Sequence, residues 1–450
     1  MSVHNDTIIA QATPPGKGGV GIIRISGQHC QKVANQIIKQ PLKSRVATFT
    51  PFYDLNNNVI DQGIAIFFKS PNSFTGEDIL ELQGHGGQVL LDLIIQNILK
   101  IPDIRMAKPG EFTERAFLND KIDLTQAEAI ADLINASSIE AAKSAMNSLQ
   151  GEFSKKINEL VKQIIYLRVY VEAAIDFPEE EIDFLNDGKV KDTLNKIVKS
   201  FENLKSETKQ GILLKDGMKV VIAGKPNAGK SSILNKLSGK DSAIVTDIEG
   251  TTRDIVKEHI HIDGMPLHII DTAGLRDTED KVEQLGIQKA WKEIESADKV
   301  LLILDSSKVT DVQDSLSYFK NKEKLTLILN KSDLKENNVQ KLNIPHEIDT
   351  ISVSAKTGDG INNLKKYLKN SMGYTGDNES NIIARQRHLD SINNAFEHLI
   401  NGKLALEELN AGELLAEELK ISQSYLDQIT GKFSSDDLLT EIFSSFCIGK

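Results

Sequence analysis

Five short motifs fall in one order along the chain, and each has residue types and spacing that phosphate or purine chemistry can use. They are GKPNAGKS at 224–231, GTTRD at 250–254, DTAG at 271–274, NKSD at 330–333 and SAK at 354–356. In the first, the glycines let backbone N–H groups face phosphate oxygens, and the helix that follows turns its positive end toward them. Lys230 is placed to reach the β- and γ-phosphates, and the Ser231 hydroxyl to ligate magnesium. Asp271 follows the apolar run 267–270 and takes the second magnesium-related position. In the fourth motif the Asp333 carboxylate can accept from the two donors on the edge of guanine, which adenine lacks. Lys331 lays its stem along the ring, and the backbone of Ser354, Ala355 and Lys356 meets the guanine oxygen. One phosphate loop implies only a nucleotide. All five in this order imply a guanine-nucleotide hydrolase.

Two positions depart from the commonest pattern of such sites. Leu275 follows DTAG, where Ras-like enzymes place a glutamine that orients the attacking water. A leucine cannot do this, so another group must. Asn227 lies inside the phosphate loop, where a side-chain oxygen could hold a monovalent cation near the β–γ bridge. Such a cation would supply the positive charge that an arginine finger supplies elsewhere. Arg253 reads as structural or switch-stabilising.

These motifs need a parallel sheet whose strands deliver each loop at the carboxyl edge. Strands are expected over 218–223 and 267–270, within a segment of alternating strands and helices from 218 to about 374. Residues 1 to about 120 carry short apolar runs (20–25, 64–68, 79–82) between Gly and Pro clusters, which reads as a mixed α/β domain. The GHGG turn at 84–87 makes His85 structural rather than catalytic. After Lys121 the texture becomes helical: Thr125 and Glu128 form a capping box, Gly151 breaks two helices, and another helix is expected over roughly 190–208. The acidic stretch 176–187 reads as a solvated connection. Helical texture returns over 382–429. Neither flank is large enough to bury a core alone, so 121–214 and 375–450 are expected to pack as one bundle interrupted by 215–374.

With 450 residues the chain is too long for one core. Two cysteines, Cys30 and Cys447, disfavour a disulfide framework or a cysteine metal site. No secretory leader or membrane-spanning run is evident, and the apolar run 89–95 is broken by Asp92, so a cytoplasmic protein is expected. A formal charge of −11 disfavours indiscriminate nucleic-acid binding, DNA included, yet leaves room for RNA at a local basic patch.

Through GKPNAGKSS, IVTDIEGTTRD, DTAGLRDTEDKVEQLGI and the terminal FCIGK, the chain resembles the MnmE (TrmE) family of tRNA-modification GTPases from end to end. The resemblance implies an N-terminal α/β folate-binding and dimerisation domain (1–120), a discontinuous helical bundle (121–214 and 375–450) and an inserted Ras-like P-loop GTPase domain (215–374). It implies that nucleotide is bound by Asn227, Ala228, Gly229, Lys230, Ser231 and Ser232. A second loop, Thr246, Asp247, Ile248, Glu249, Gly250, Thr251 and Thr252, would join them, as would Asp271, Thr272, Ala273 and Gly274. Asn330, Lys331, Asp333, Ser354, Ala355 and Lys356 complete the expected set. Potassium replaces the arginine finger in the family, which implies Asn227, Thr246, Ile248 and Thr251 as its ligands, with magnesium on Ser231 and Thr252. Glu283 matches the acidic residue that orients the hydrolytic water, and it joins Lys230 in the expected catalytic pair.

The same resemblance implies a one-carbon folate, 5,10-methylene- or 5-formyl-tetrahydrofolate, held by Arg24, Glu81, Lys121 and Lys450. Cys447 would lie beside it, either as an inert thiol or with a part in one-carbon transfer. Implied partners are a second copy through the N-terminal domain, the FAD-dependent MnmG in a heterotetramer, and tRNA, whose wobble uridine is modified at C5. Two other classes fit part of the pattern. An Era-like regulatory GTPase of ribosome assembly would need an RNA-binding domain after the GTPase module. A folate-dependent transferase would use the GTPase only as a regulator.

Overall fold

The computed structural model describes residues 6–176, 188–238, 256–262, 265–271, 291–308, 312–317, 319, 321–334, 344–345, 347–372, 382–432, 436–444, 446–447 and 449. They form two compact units. One comprises Met1–Ala131, Leu149–Ile197 and Asn394–Lys450, the other Asp132–Ser148 and Val198–Asn393.

The first unit is built on a six-stranded sheet. Its strands are β1 (Thr7–Gln11), β2 (Gly18–Ser26), β3 (Thr48–Tyr53), β4 (Val59–Phe68), β5 (Ile79–Gly86) and β6 (Ile104–Met106), in the order β3-β4-β5-β2-β1-β6. All pairs are antiparallel except β1 with β6. Alternation along β4 turns Asp61, Gly63, Ala65 and Phe67 inward, the period of a sheet covered on one face. Helices α1 (Cys30–Ile37) and α2 (Gln88–Ile98) cover that face, and Val33, Ile37, Leu91 and Ile94 pack against Ile23, Ile25, Leu80 and Leu82. Helix α3 (Glu111–Leu118) carries Phe112 against Ile8 and Ala10.

Helix α4 (Leu124–Ile134) begins two residues earlier than the expected capping box. Asp123 is the residue that caps it: its Oδ1 accepts from the Gln126 backbone N–H at 3.0 Å, while Gln126 Oε1 accepts from Asp123 N at 3.0 Å. Thr125 lies inside the first turn, 3 % exposed, with its hydroxyl on Asp123 and Ser154. Both pairs have the spacing of a capping box, and the earlier one wins because Leu124 is already needed in the core. Helices α5 (Ile139–Leu149) and α6 (Glu152–Asp176) meet at Gly151, whose φ of +91° supplies the expected break.

Helix α7 (Lys189–Asp216) runs two turns beyond the expected end. Thr208 does not stop it, because its hydroxyl donates back to the Leu204 carbonyl at 2.7 Å. Gly211 is needed for closeness rather than for termination: a Cβ there would stand 2.9 Å from the Ile382 carbonyl oxygen. The acidic stretch lies outside the described residues, apart from Asp176.

The second unit holds the other six-stranded sheet. Its strands are β7 (Met218–Gly224), β8 (Val256–Ile262), β9 (Met265–Asp271), β10 (Lys299–Asp305), β11 (Leu325–Asn330) and β12 (Asp349–Ser352), in the order β12-β11-β10-β7-β9-β8. Every pair is parallel except β8 with β9 at the edge. Strand β11 is buried at all six positions, the continuous apolar run of a sheet covered on both faces. Helices α8 (Lys230–Ser238) and α10 (Ile361–Ser371) pack on one face, and the short α9 (Gln313–Leu316) with Ile294 and Phe319 on the other. Helices α11 (Gln386–Leu409), α12 (Gly412–Thr430) and α13 (Asp436–Ser444) follow. In the first unit α12 lies along α6, and Arg168 donates to Gln423 at 2.8 Å.

Candidate functional site

At the carboxyl edge of the second sheet, β7 runs directly into the phosphate loop and α8. The loop turns through left-handed conformations at Asn227 (φ +64°) and Gly229 (φ +94°). Asparagine tolerates this geometry, whereas position 229 also lacks space: a Cβ there would sit 2.2 Å from Asn330 Nδ2. Lys230 Nζ donates to the Gly224 carbonyl at 3.2 Å, so the ammonium already lies over the loop that should surround phosphate. Ser231 and Ser232 are exposed in the first turn of α8.

The guanine side is tied to this loop by one buried side chain. Asn330, 1 % exposed, donates through Nδ2 to the Ala228 carbonyl at 2.9 Å. Its Oδ1 accepts from Ala355 N at 3.1 Å. Three motifs distant in sequence are thus clipped together by one amide. Asp333 is held by Ser354, whose hydroxyl donates to Oδ1 at 2.6 Å, which fixes the carboxylate for a purine edge. Lys331, at φ +63°, sends Nζ to Asp305 Oδ2 at 2.6 Å. Burial pushes the Asp305 carboxyl up, but hydrogen bonds from Lys331 and Ser307 outweigh it and hold the group below its ordinary value. Asp305 went unread in the sequence. Its only signal was its place at the end of an apolar strand one position before the loop, where Asp271 also stands.

Asp271 closes β9 in register with Ile222 and Val256, beside the strand that feeds the phosphate loop. Thr246, Asp247, Ile248, Glu249, Gly250, Thr251, Thr252, Arg253, Thr272, Ala273, Gly274, Leu275 and Glu283 lie outside the described residues. Of the expected cation donors, the exposed Asn227 and Ser231 both offer neutral oxygens, which suit hard, oxygen-seeking ions. A cavity of about 600 Å³ lined by Trp291, Ile294, Val300 and Phe319 lies at the opposite, amino-terminal edge of β10, away from this chemistry.

In the first unit the structure brings Arg24 and Glu81 together across β2 and β5, with Arg24 Nε donating to Oε1 at 2.9 Å. Glu81 keeps 14 % of its side chain exposed and Arg24 25 %. A largely buried carboxylate that still reaches the surface beside a guanidinium suits a ligand with paired donors and an oxygen, as an aminopyrimidine has. The Arg24 guanidinium also lies 5.9 Å from the centre of the Phe112 ring. Lys121 stands on a different loop and donates to the Pro71 carbonyl at 2.9 Å.

The C-terminal segment reaches the same neighbourhood. The Cys447 carbonyl accepts from Gly110 N at 3.4 Å, two residues before Phe112, and the Cys447 side chain is exposed. Phe446 packs with Leu124 and Ala127. A Cβ at Gly449 would stand 2.2 Å from the Gln11 carbonyl oxygen. Lys450 lies outside the described residues. His85 has a partner that the sequence did not announce: its Nδ1 lies 2.7 Å from Oδ1 of Asp61, whose side chain is 6 % exposed.

Beneath Arg24 and Phe112 lies an ionic network that sequence reading missed. Arg115, 1 % exposed, donates to Asp6 at 2.8 Å and to Glu111 and Glu77 at 3.1 Å. Arg105 grips Glu111 through two nitrogens. Burial pushes the Glu111 carboxyl up, yet bonds from Arg105, Lys108 N and Arg115 bring it below its ordinary value. Asp6 is lowered in the same way, Arg105 and Arg115 outweighing its burial. These residues are spread over more than a hundred positions, so no local spacing reveals them.

Comparison with known proteins covers the whole chain. A family model described as the MnmE helical domain matches 124–447, and one described as the GTP-binding protein TrmE N-terminus matches 7–121. The tRNA modification GTPase MnmE of Mannheimia succiniciproducens is 58 % identical over 99 % of this chain and 99 % of its own. Its namesake from Histophilus somni strain 2336 is 59 % identical over the full length of both chains. That of Haemophilus influenzae strain PittEE is 59 % identical over 99 % of this chain and all of its own. Where an Era-like protein would carry an RNA-binding domain, the described residues after 382 are helices α11 to α13, within the span that the MnmE helical model matches. With its guanine-nucleotide edge, its amino-terminal sheet and its helices all accounted for by one set of relatives, the chain belongs to the MnmE (TrmE) family of tRNA-modification GTPases.

Proposed function

We propose that this chain is a potassium-activated GTPase that works with the flavoprotein MnmG to modify C5 of the wobble uridine of certain tRNAs. In this reading the added carbon comes from a tetrahydrofolate. The tRNA-modification GTPase activity is that of the family. The observation that carries the GTPase step is the Asn330 clip, which holds the phosphate loop and the guanine loops in one arrangement.

In that arrangement Asp333, steadied by Ser354, accepts from the base edge, and Lys331 covers the ring. Lys230 moves from the Gly224 carbonyl to the phosphates. Ser231 and Thr252 would hold magnesium, and Asn227, Thr246, Ile248 and Thr251 potassium; when bound, the two ions would supply positive charge against the phosphates, potassium in the place of an arginine finger. Glu283 orients the water in place of the glutamine that Leu275 displaces. Arg24, Glu81, Lys121 and Lys450 hold the folate, with Cys447 at its edge. The partly buried Arg24–Glu81 pair supports that assignment.

Domain limits of 1–120, 121–214, 215–374 and 375–450 accompany this reading, as does a homodimer through the N-terminal domain. The exposed Phe49 and Ile64, paired across β3 and β4 on the uncovered sheet face, support such an interface. GTP hydrolysis then shifts the population between open and closed nucleotide modules.

The test has two arms. GTP turnover measured at equal ionic strength should be much faster in potassium than in sodium salts, and equal rates would remove the cation assignment. Mass spectrometry of tRNA nucleosides from cells lacking this chain should show an unmodified wobble uridine, and an unchanged profile would remove the modification.

A further inference from the structure

One exposed patch of the first unit touches the chemistry above only through Lys121. The loop 69–76 joins β4 to β5 and is bracketed by cationic side chains from three separate segments. Arg45 donates to the Asn72 carbonyl at 2.6 Å, and Lys121 to the Pro71 carbonyl at 2.9 Å. Ser44 bridges Phe67, Arg45 N donates to the Phe67 carbonyl at 2.7 Å, and Ser44 Oγ accepts from Lys69 N at 3.4 Å. These backbone contacts bring Lys43, Arg45 and Lys69 to one surface, where all three are exposed together with Lys121.

Asp78 keeps its charge beside this loop, but among the described residues no ion pair ties up Lys43, Arg45 or Lys69. Glu77 is taken by Arg115 and Ser26, and Asp78 accepts from Ser70 N at 2.8 Å. Asp120 is the one exposed carboxylate beside Lys121 in sequence. Phe74, on the same loop, is 38 % exposed, and Leu118, three residues before Lys121, is 42 % exposed. Exposed cations and an exposed ring carried by one loop and the segment bonded to it are the elements of a site for single-stranded nucleic acid: the cations follow the phosphates and the ring stacks on a base.

We propose that Lys43, Arg45, Lys69 and Phe74 form the surface that takes a single-stranded loop of the tRNA. The inference rests on tRNA being the substrate, and on neither the folate nor the potassium assignment. A chain of formal charge −11 repels a polyanion as a whole, so contact must come from such a local reversal of sign. Helix α7 is the rival surface because it is rich in lysine. There the lysines are interleaved with Asp192, Glu202, Glu207 and Asp216 along roughly 40 Å. Among its described residues no large apolar side chain is prominently exposed.

The test is fluorescence anisotropy of labelled tRNA against the full-length protein, titrated over salt. Lys43→Glu/Lys69→Glu should weaken binding about tenfold or more at low salt and flatten the log–log salt slope by about 1.4, two phosphate contacts on a single strand. Phe74→Ala should weaken binding about tenfold with the slope unchanged, because stacking releases no counterions. Lys191→Glu/Lys199→Glu makes the same charge change on α7 and should leave both quantities near those of the parent. Unaltered amide protection in β4 and β5, measured by hydrogen exchange, confirms that the patch variants are folded. Unchanged affinity and slope in the patch variant, an equal loss in the α7 variant, or no measurable binding by the parent chain would each overturn the proposal. In the first of these cases the lysines serve solvent or a small anion.

Discussion

The nucleotide edge and the amino-terminal site solve the same problem, holding polar groups ready for a ligand, by opposite means. At the nucleotide edge the contacts are mostly neutral and involve backbone: Asn330 to Ala228 and Ala355, Lys230 to Gly224. Beneath the amino-terminal site the contacts are ionic and buried, centred on Arg115 and three carboxylates. A backbone-built site is set by strand order and glycine positions. A charge-built site stands or falls with a few side chains, because an orphaned ion in a core is far more costly than a lost neutral bond.

The largest break in that contrast should come from Arg115→Met. It leaves Glu77 and Glu111 without their buried partner and should destabilise the amino-terminal unit by about 3–5 kcal/mol. Hydrogen exchange should report it as lost protection in β1 and α3 with β7 and β11 unaffected. Uniform loss across both sheets would show that the two regions are not energetically separate.

A smaller effect is expected from Asn330→Ala, which unclips three loops and leaves the Ala228 carbonyl and the Ala355 N–H without their partner. The penalty should be about 1–3 kcal/mol. GTP and GDP affinities measured by calorimetry should fall together, since the clip touches neither the γ-phosphate nor the base. A loss confined to GTP would mean that the clip acts on the switch loops instead.

The smallest is the response to acid. Asp6 and Glu111 are held below their ordinary values of 3.8 and 4.5. Their contribution is therefore complete above those values and is lost as pH falls through the lower, folded ones. Amide protection in β1 and α3 should decline below about pH 4. Arg105→Met, which removes the largest stabilising partner of both carboxylates, should abolish most of that dependence, and a profile the variant leaves unchanged would place the titrating groups elsewhere.

The same contrast decided what could be read from the sequence. GKPNAGKS and NKSD are runs of adjacent residues because one loop after one strand meets one part of the ligand, so local order carries the information. The strands expected over 218–223 and 267–270, observed over 218–224 and 265–271, were found because buried parallel strands between helices are mostly apolar. Asp305 escaped because a lone acid at a strand end has no motif. Asp6, Glu77, Glu111 and Arg115 escaped because only the fold makes them neighbours. Arg24 and Glu81 were named through resemblance, and the register of β2 with β5 is the physical reason they meet. The end of α7 was placed near Thr208, and Gly211 beyond it does not end the helix either. Back-bonding and a close backbone crossing change their meaning, and neither is visible one-dimensionally.

The amide of Asn330 also bears on how nucleotide leaves. Because it grips the carbonyl under the phosphates and the N–H beside the base, the two ends of the pocket cannot relax on independent schedules. Release of product should then be a single kinetic event. Guanosine and pyrophosphate added as separate fragments should each find a cradle already shaped by the other half.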